Sequence, residues 1–543
     1  MKNAMLIRRV IGSFFLVLAY SGQVEAVLPP DPFTPFASAR EYASPPFGLG
    51  EDGVLYYDYG DRYGGLGKYR NPTFIATYAN ALYRDFIKDK KNSVKSLFLD
   101  QVDYLVQSAA EDEQGSFWPY PFQNTHYAAP EGWYSGMTSG RILGVLCRAH
   151  ELTADPKYLK FADNVFSKLN RPIEKGGMIS RDGDFSWIEE VAFPSVQSYK
   201  VLNGHIFGLS GLQTYARYSG NSDADKLVRQ AIGAVKDALP SIDSGFLSYY
   251  SESVPPGRER FFAERGGYNT IHVSQMLWLY SQTNSIDFLK YAMRFQAYDI
   301  FEPIISSTFS TNAVTHGPER MNMSFGNSYW SSYEFPVEVE FDFGRDYVLD
   351  GFVILGHTQQ SSPEDFYASI YDGHSWRGVA KGKGNSSQRL RVDFTHGVVA
   401  SGFKLRVDSD NGNGAVALDG VGMIFKENFG PVINFGNYTS SARRIFDPSE
   451  NGSILVKTNG FIVLPSRSAV AGISLSGDIS NHSLVKIFGS DELDSWDEID
   501  FKSESNLNIS RYFFNSKNYK FYKVEFDKDF AHKISGAYFI KNK

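Results

Sequence analysis

The chain has 543 residues, more than one hydrophobic core usually organises, so several domains are expected. Hydrophobic residues make up 42% and charged residues 21%, a balance of folded domains that argues against long disorder. A formal net charge of −7 with no basic stripe gives no support to nucleic acid as a partner, and leaves an anionic polymer only where basic groups gather in a cleft.

The chain opens with Lys2, Arg8 and Arg9, an apolar run from Val10 to Tyr20, and Val24-Glu25-Ala26, which together read as a signal peptide over residues 1–26. Cleavage and export, to the periplasm or beyond, are the expectation, because the run is short for a bilayer span. No other apolar stretch is long enough to cross a membrane, so the protein is expected not to be membrane-embedded. Residues 27–69 read as an N-terminal extension.

Helical periodicity then governs 70–300. Asn71-Pro72 is a capped start with Pro in the first turn, and Phe74, Ile75, Tyr78, Leu82 and Phe86 recur at helical spacing. Further helices are predicted over 92–110, 136–153, 155–169, 203–218, 222–239, 269–283 and 285–297. Eight helices in four consecutive pairs predict an α/α-barrel, or toroid. Cys147, the chain's one cysteine, lies in such a helix as a small buried hydrophobe.

After about residue 300 short alternating strands replace the helices, as in Val337–Phe343 and Phe403–Val407. The half repeats internally: the stretch from Asp350 to Gly356 is similar to that from Ala471 to Gly477, and Gly402–Val407 to Tyr519–Glu525. The fold expected is therefore multidomain, a helical toroid followed by two all-β jelly-roll sandwiches at 305–427 and 428–543, the second a degenerate repeat. Trp330-Ser331-Ser332, Phe341 to Gly344, Trp376 and Gly402 to Val407 make the first sandwich resemble a discoidin, or coagulation-factor-C-type, module. Such modules often bind glycans at loops on one end. A spacer packed on the catalytic domain is the plainer alternative.

An ordered series of motifs runs through the helical region. It includes Gly115 to Phe122 around Trp118, Gly132-Trp133-Tyr134-Ser135-Gly136, Trp187-Ile188-Glu189-Glu190, Asn203-Gly204-His205, Asp243 to Gly245, Tyr250, and Tyr268 to His272. Together these resemble the catalytic helical domain of D-glucuronyl C5-epimerases. The resemblance implies an enzyme of the isomerase class that inverts C5 of a uronate within an anionic polysaccharide, with no cofactor and no metal. Such a reaction removes the C5 proton on one face and returns one on the other, while the adjacent carboxylate is stabilised as an enediolate.

Carried over residue by residue, the resemblance assigns catalysis to Glu190, Tyr250 and Tyr268. Two positions depart from the family: Val191 stands where a tyrosine should follow the glutamate, and Ser253 where an arginine is expected. Tyr199 or Tyr249 could supply the missing phenol, and Arg258, Arg260 or Arg265 the missing charge. Trp118, Trp133, Glu189, Asn203, His205, Arg265 and His272 are expected to bind substrate. Each has a plainer reading: core packing for the tryptophans, helix packing for the histidines, a capping role for Asn203 and a solvated charge pair for Glu189 and Glu190. Asp182 and Asp184 around Gly183 read as a turn rather than a cation site. Two alternatives stay open: a uronate lyase on the same scaffold, and a glycan-binding or assembly protein without catalysis. Homo-oligomerisation is compatible with all three.

Overall fold

The computed structural model describes residues 28–34, 38–321, 328–434, 454–455, 460–466, 470–477, 479, 485–506, 508–514, 518–527 and 533–541. The signal peptide expected over 1–26 lies outside them. No helix among the described residues is long and apolar enough to cross a membrane.

The Asn71 side chain accepts the Thr73 N–H at 2.9 Å and Pro72 occupies the first turn, opening helix α1 (Pro72–Asp89). There follow α2 (Asn92–Ser108), α3 (Gly136–Thr153), α4 (Pro156–Leu169), α5 (Leu202–Ser219), α6 (Ser222–Ile242), α7 (Tyr268–Thr283) and α8 (Ile286–Asp299). Each odd helix packs on its successor, and α1, α3, α5 and α7 pack side by side in that order. The helices α4 and α6 bury single stripes, Tyr158-Ala162-Val165-Leu169 and Leu227-Ala231-Val235-Leu239. By contrast α3 and α5 are buried almost all round. The odd helices are thus the inner layer of an arc of four hairpins.

The crossing of α3 and α5 is set by glycine. A Cβ on Gly140 would stand 2.3 Å from the Gly208 carbonyl oxygen, and one on Gly211 2.0 Å from that of Gly140. Only hydrogen side chains allow the two backbones to meet.

Beyond the helices, long strands Val337–Gly356 and Arg389–Asp410 pair with each other and recruit five more strands into one seven-stranded sheet. Register shifts between Asp342 and Tyr347 and between Leu349 and Gly351 bend it. The two halves of the sheet then face each other, bringing the rings of Phe352 and Phe403 to 4.9 Å. The described part of the last module forms two five-stranded sheets around its own core of Ile462, Ile473, Ile487, Tyr512 and Tyr522.

The bent sheet is docked on the helices. Gly245 accepts the Phe425 N–H at 3.1 Å, and the Phe301 ring lies 4.9 Å from that of Phe425 and 5.4 Å from that of Tyr347. One continuous apolar core runs from the helices into this module.

Candidate functional site

The inner helices present their N-termini to the same end of the arc, and the loops before them build the site. At α1 and α3, Tyr120 bridges the two helices, its hydroxyl 2.7 Å from the Thr73 and 2.9 Å from the Thr138 hydroxyl. The hairpin of Ile179–Asp182 and Phe185–Ile188 delivers Glu189 and Glu190, with Asp182, Gly183 and Asp184 at its tip. Its exit is pinned to α3, because the Glu189 carbonyl accepts the Gly136 N–H at 2.8 Å. The Tyr250 carbonyl accepts the Leu202 N–H at 3.1 Å, tying its loop to α5. Tyr268 is the first residue of α7.

Glu190, Tyr250 and Tyr268 come together. The Tyr250 hydroxyl donates to Glu190 Oε1 at 3.4 Å, and the Tyr250 and Tyr268 rings meet edge to face at 4.7 Å. Glu190 Oε2 is buried with no hydrogen-bond partner. Burial pushes the Glu190 carboxyl up to about 7, aided by the Glu189 charge and opposed by the Tyr250 hydrogen bond. Burial and the Glu190 charge hold both phenols above their ordinary value, so they stay protonated at neutral pH. Tyr268 is 39% exposed and forms the open side of the group. Gly204 makes the seat for the carboxylate, since a Cβ there would lie 2.1 Å from Glu190 Oε2.

Glu189 points the other way and is not part of a solvated charge pair. Its buried carboxylate accepts the hydroxyls of Ser180, at 2.7 Å, and Ser198, and the Lys200 N–H at 3.2 Å. Burial raises its pKa while these donors oppose the rise. It clamps the 198–200 loop to the hairpin and so aims Glu190. Asn203 does not cap α5, whose N-cap is Val201. Its side chain instead reaches the Tyr250 hydroxyl, and its Oδ1 is left without a partner.

The remaining expected binding residues lie deeper. Trp118 and Trp133 are 4% and 7% exposed, and their indole N–H groups donate to the Leu105 and Phe122 carbonyls at 3.0 and 2.8 Å. Trp133 stacks on Tyr120 at 4.1 Å, so the pair is wall and core, not an open sugar platform. His205 accepts the Ile188 N–H at Nδ1 (2.8 Å) and donates from Nε2 to the Ala231 carbonyl (3.1 Å). Burial lowers its pKa to about 3, and it stacks under Trp187 as a neutral prop for the hairpin. His272, likewise lowered to about 3 by burial, pairs Nδ1 with the Ser248 hydroxyl at 2.8 Å. Arg265 is buried and donates to the Phe301 carbonyl. Arg260 donates to the Ser241 and Glu252 carbonyls and covers Tyr249 at 3.6 Å, while Phe262 stacks on that ring. Arg258 is exposed, and its charge reaches His126 and Tyr199.

Sequence reasoning did not find Tyr127, which packs with Val191, Tyr199 and Tyr250 in one aromatic cluster lining the loop side of the site. It lies in an irregular loop, where no periodicity marks a residue. The density of aromatic residues from Phe117 to Trp133 was the available signal.

Residues 111–297 match the family model described as D-glucuronyl C5-epimerase C-terminus. This epimerase-like stretch contains Glu190, Tyr250 and Tyr268. The chain is 26% identical over 210 residues to the D-glucuronyl C5-epimerase of Caenorhabditis elegans, covering 36% of this chain and 33% of that one. It is also 30% identical over 209 residues to an uncharacterized protein of Methanocaldococcus jannaschii, covering 36% of this chain and 64% of the other. The chain therefore spans less than two thirds of either relative. Among solved structures, a family 32 carbohydrate-binding module of Clostridium perfringens, in complex with GalNAc-β-1,3-galactose, matches at 16% identity. That match covers 22% of this chain and 94% of the module, with a TM-score of 0.21. A tandem pair of such domains from the same organism's ZmpB, in complex with GalNAc, matches at 11% identity over 44% of this chain and 90% of the pair, with a TM-score of 0.20.

Proposed function

We propose that the protein is a polysaccharide-modifying C5-epimerase acting on D-glucuronate, or a related uronate, within a polymer. The observation that carries this reading is the Glu190–Tyr250–Tyr268 group: a buried carboxyl tuned near neutrality, hydrogen-bonded to one phenol and flanked by a second. A base that removes a proton from carbon works best with a pKa near the working pH, and burial supplies it here. Glu190 takes the C5 proton, and the electron pair moves into the neighbouring carboxylate of the sugar. Tyr250 and Tyr268, held protonated, donate hydrogen bonds to the enediolate that forms. The inner helices α5 and α7 begin without a side-chain cap, so their N-terminal dipoles favour an anion at the same end.

On this reading the four hairpins form the arc of an α/α toroid, the mature protein is exported, and the β modules hold or space the polymer. The absence of a hydroxyl at Val191 favours one competitor: a lyase, in which the C4 oxygen departs because no donor returns a proton to C5. Product analysis separates the two, as an inverted uronate or an unsaturated sugar. Glu190→Gln and Tyr268→Phe are each expected to lower turnover by about 100-fold or more with the fold retained by circular dichroism. Near-wild-type rates in both variants would overturn the site assignment.

A further inference from the structure

Inversion needs a proton donor on the face of the sugar away from the base, and the position that should follow Glu190 with a phenol carries Val191, a buried side chain without a hydroxyl. The wall around that gap is not empty of phenols. Tyr127 packs in the same cluster as Val191 and Tyr250, although it arrives from a different loop. That loop is closed on itself: Asn124 and Ala129 exchange backbone hydrogen bonds at 3.0 Å, and the Tyr127 N–H donates to Asn124 Oδ1 at 3.1 Å. The Tyr127 ring is fixed by stacking on Tyr199 at 5.1 Å, and its neighbour His126 stacks on Phe261 at 4.1 Å. A residue so held has little freedom to leave.

Its hydroxyl is buried beside Ser251 without a well-formed hydrogen bond, and Ser251 itself donates to the Ser253 carbonyl at 2.9 Å. Glu190 Oε2 is a second buried polar atom without a partner. Tyr127 shares a cluster with Tyr250, whose hydroxyl donates to Glu190, so the two atoms leave hydrogen-bonding capacity around one group that a bound substrate would fill. Burial holds the phenol protonated, and the charges of Glu190 and Glu189 act on it in the same direction. A donor that must keep its proton until a carbanion forms is served by that environment.

We propose that Tyr127 is a further catalytic residue, the phenol that stands in for the one lost at Val191 and returns the proton to C5. The proposal rests on the epimerase reading. Glu190 accepts the C5 proton as the C–H pair moves into the sugar carboxylate; the Tyr127 O–H then protonates C5 from the other face as that pair returns to form the new C–H bond. Protonated Glu190 and the Tyr127 phenolate are left, and proton exchange with solvent restores both. No electron changes hands with another reagent.

The test is Tyr127→Phe in the full chain, acting on a glucuronate polymer in deuterated water, with proton NMR following two signals: inverted product, and deuterium gained at C5 of uninverted sugar. Loss of the donor alone is expected to slow inversion by about 100-fold while C5 exchange with retention stays within about tenfold of wild type. Tyr199→Phe, which keeps the stacking ring but removes the neighbouring phenol, is expected to slow inversion far less than Tyr127→Phe. Equal inversion rates in Tyr127→Phe and wild type would overturn the proposal, as would a parallel fall of both signals, the signature of a structural role. Loss of inversion in Tyr199→Phe instead would also overturn it by moving the role to Tyr199. Wild-type protein that neither exchanges nor inverts overturns the epimerase reading and this proposal together, and is distinguished by needing no variant.

Discussion

Glu190 carries a stability cost that can be measured without knowing the substrate. An unfolded glutamate titrates near its ordinary 4.5, and burial lifts the folded carboxyl to about 7. Between those values the folded state keeps a proton that the unfolded chain has lost, so stability falls as the pH rises through the window and stays low above it. The loss is about 3 kcal/mol. Glu190→Gln is neutral throughout, so it is expected to melt with wild type near pH 4.5 and at a higher temperature at pH 8. A lower melting temperature for the variant at pH 8 would contradict the buried carboxyl. Function and stability pull in opposite directions at this residue. The sequence made the group of Glu190, Tyr250 and Tyr268 legible through its motifs and set Glu190 apart from Glu189, but it did not show that Glu189 holds a loop. Adjacent residues in an extended segment point to opposite sides, which is why one carboxylate clamps a loop and the other faces Tyr250. Core packing of Trp118 and Trp133 was the plainer alternative in the sequence but could not be decided there, and the burial of Arg265 was not foreseen, since burial is set by loops far apart in the chain.

The helices themselves were readable to within three residues, helped by starts that carry local chemistry: Asn71-Pro72, Asp155-Pro156, and Asn221, whose side chain accepts two N–H groups of the first turn. What a helical pattern does not display is which face touches which partner. Gly140, Gly208 and Gly211 look like propensity defects in sequence, each costing about 1 kcal/mol against alanine. In the structure they are the contact between α3 and α5. Gly211→Ala is expected to destabilise the helical region by about 3 kcal/mol, because the new methyl meets backbone that cannot give way. Thermal unfolding checks this, and an unchanged or raised melting temperature would contradict the packing. The strands were less readable. Alternation breaks at Gly344 and Arg345, so two long strands were expected as shorter ones, whereas bulges carry the chain through. The internal repeat is legible in both: Gly351 and Gly356 lie at register shifts, as do Gly472 and Gly477 with the same spacing. A Cβ on Gly351 or Gly472 would stand 2.2 or 2.3 Å from the carbonyl oxygen of the paired strand.

Over the whole molecule, the first β module behaves as part of the helical body. Phe301, Phe343, Tyr347 and Phe425 form one aromatic joint, and Arg294 pairs with Asp243 at 2.7 Å beside the Lys426 carbonyl. The spacer alternative raised for this module has that contact in its favour. Truncation after residue 304 would strip the apolar joint from the helices and is expected to give aggregation or a markedly lower melting temperature. Truncation after 434 removes a module with a largely separate core, joined to the rest through Tyr280–Phe461 at 5.8 Å and Phe429–Phe521 at 5.5 Å, and is expected to lower the helical transition less than the 304 truncation. A soluble, equally stable 304 truncation would contradict the shared core. The module reaches the site side through Asp243 to Gly245 and through Arg389, which donates to the Arg260 carbonyl at 2.8 Å in the segment whose Phe261 carbonyl accepts the Tyr250 N–H.

The central claim is inversion at C5, begun by proton removal, and its most direct test is incubation of the protein with a panel of uronate polysaccharides in deuterated water, read by proton NMR. The account predicts deuterium at C5 accompanied by signals of the inverted uronate in at least one polymer. Unsaturated sugar in place of the epimer, or binding with no exchange in any polymer, would contradict it.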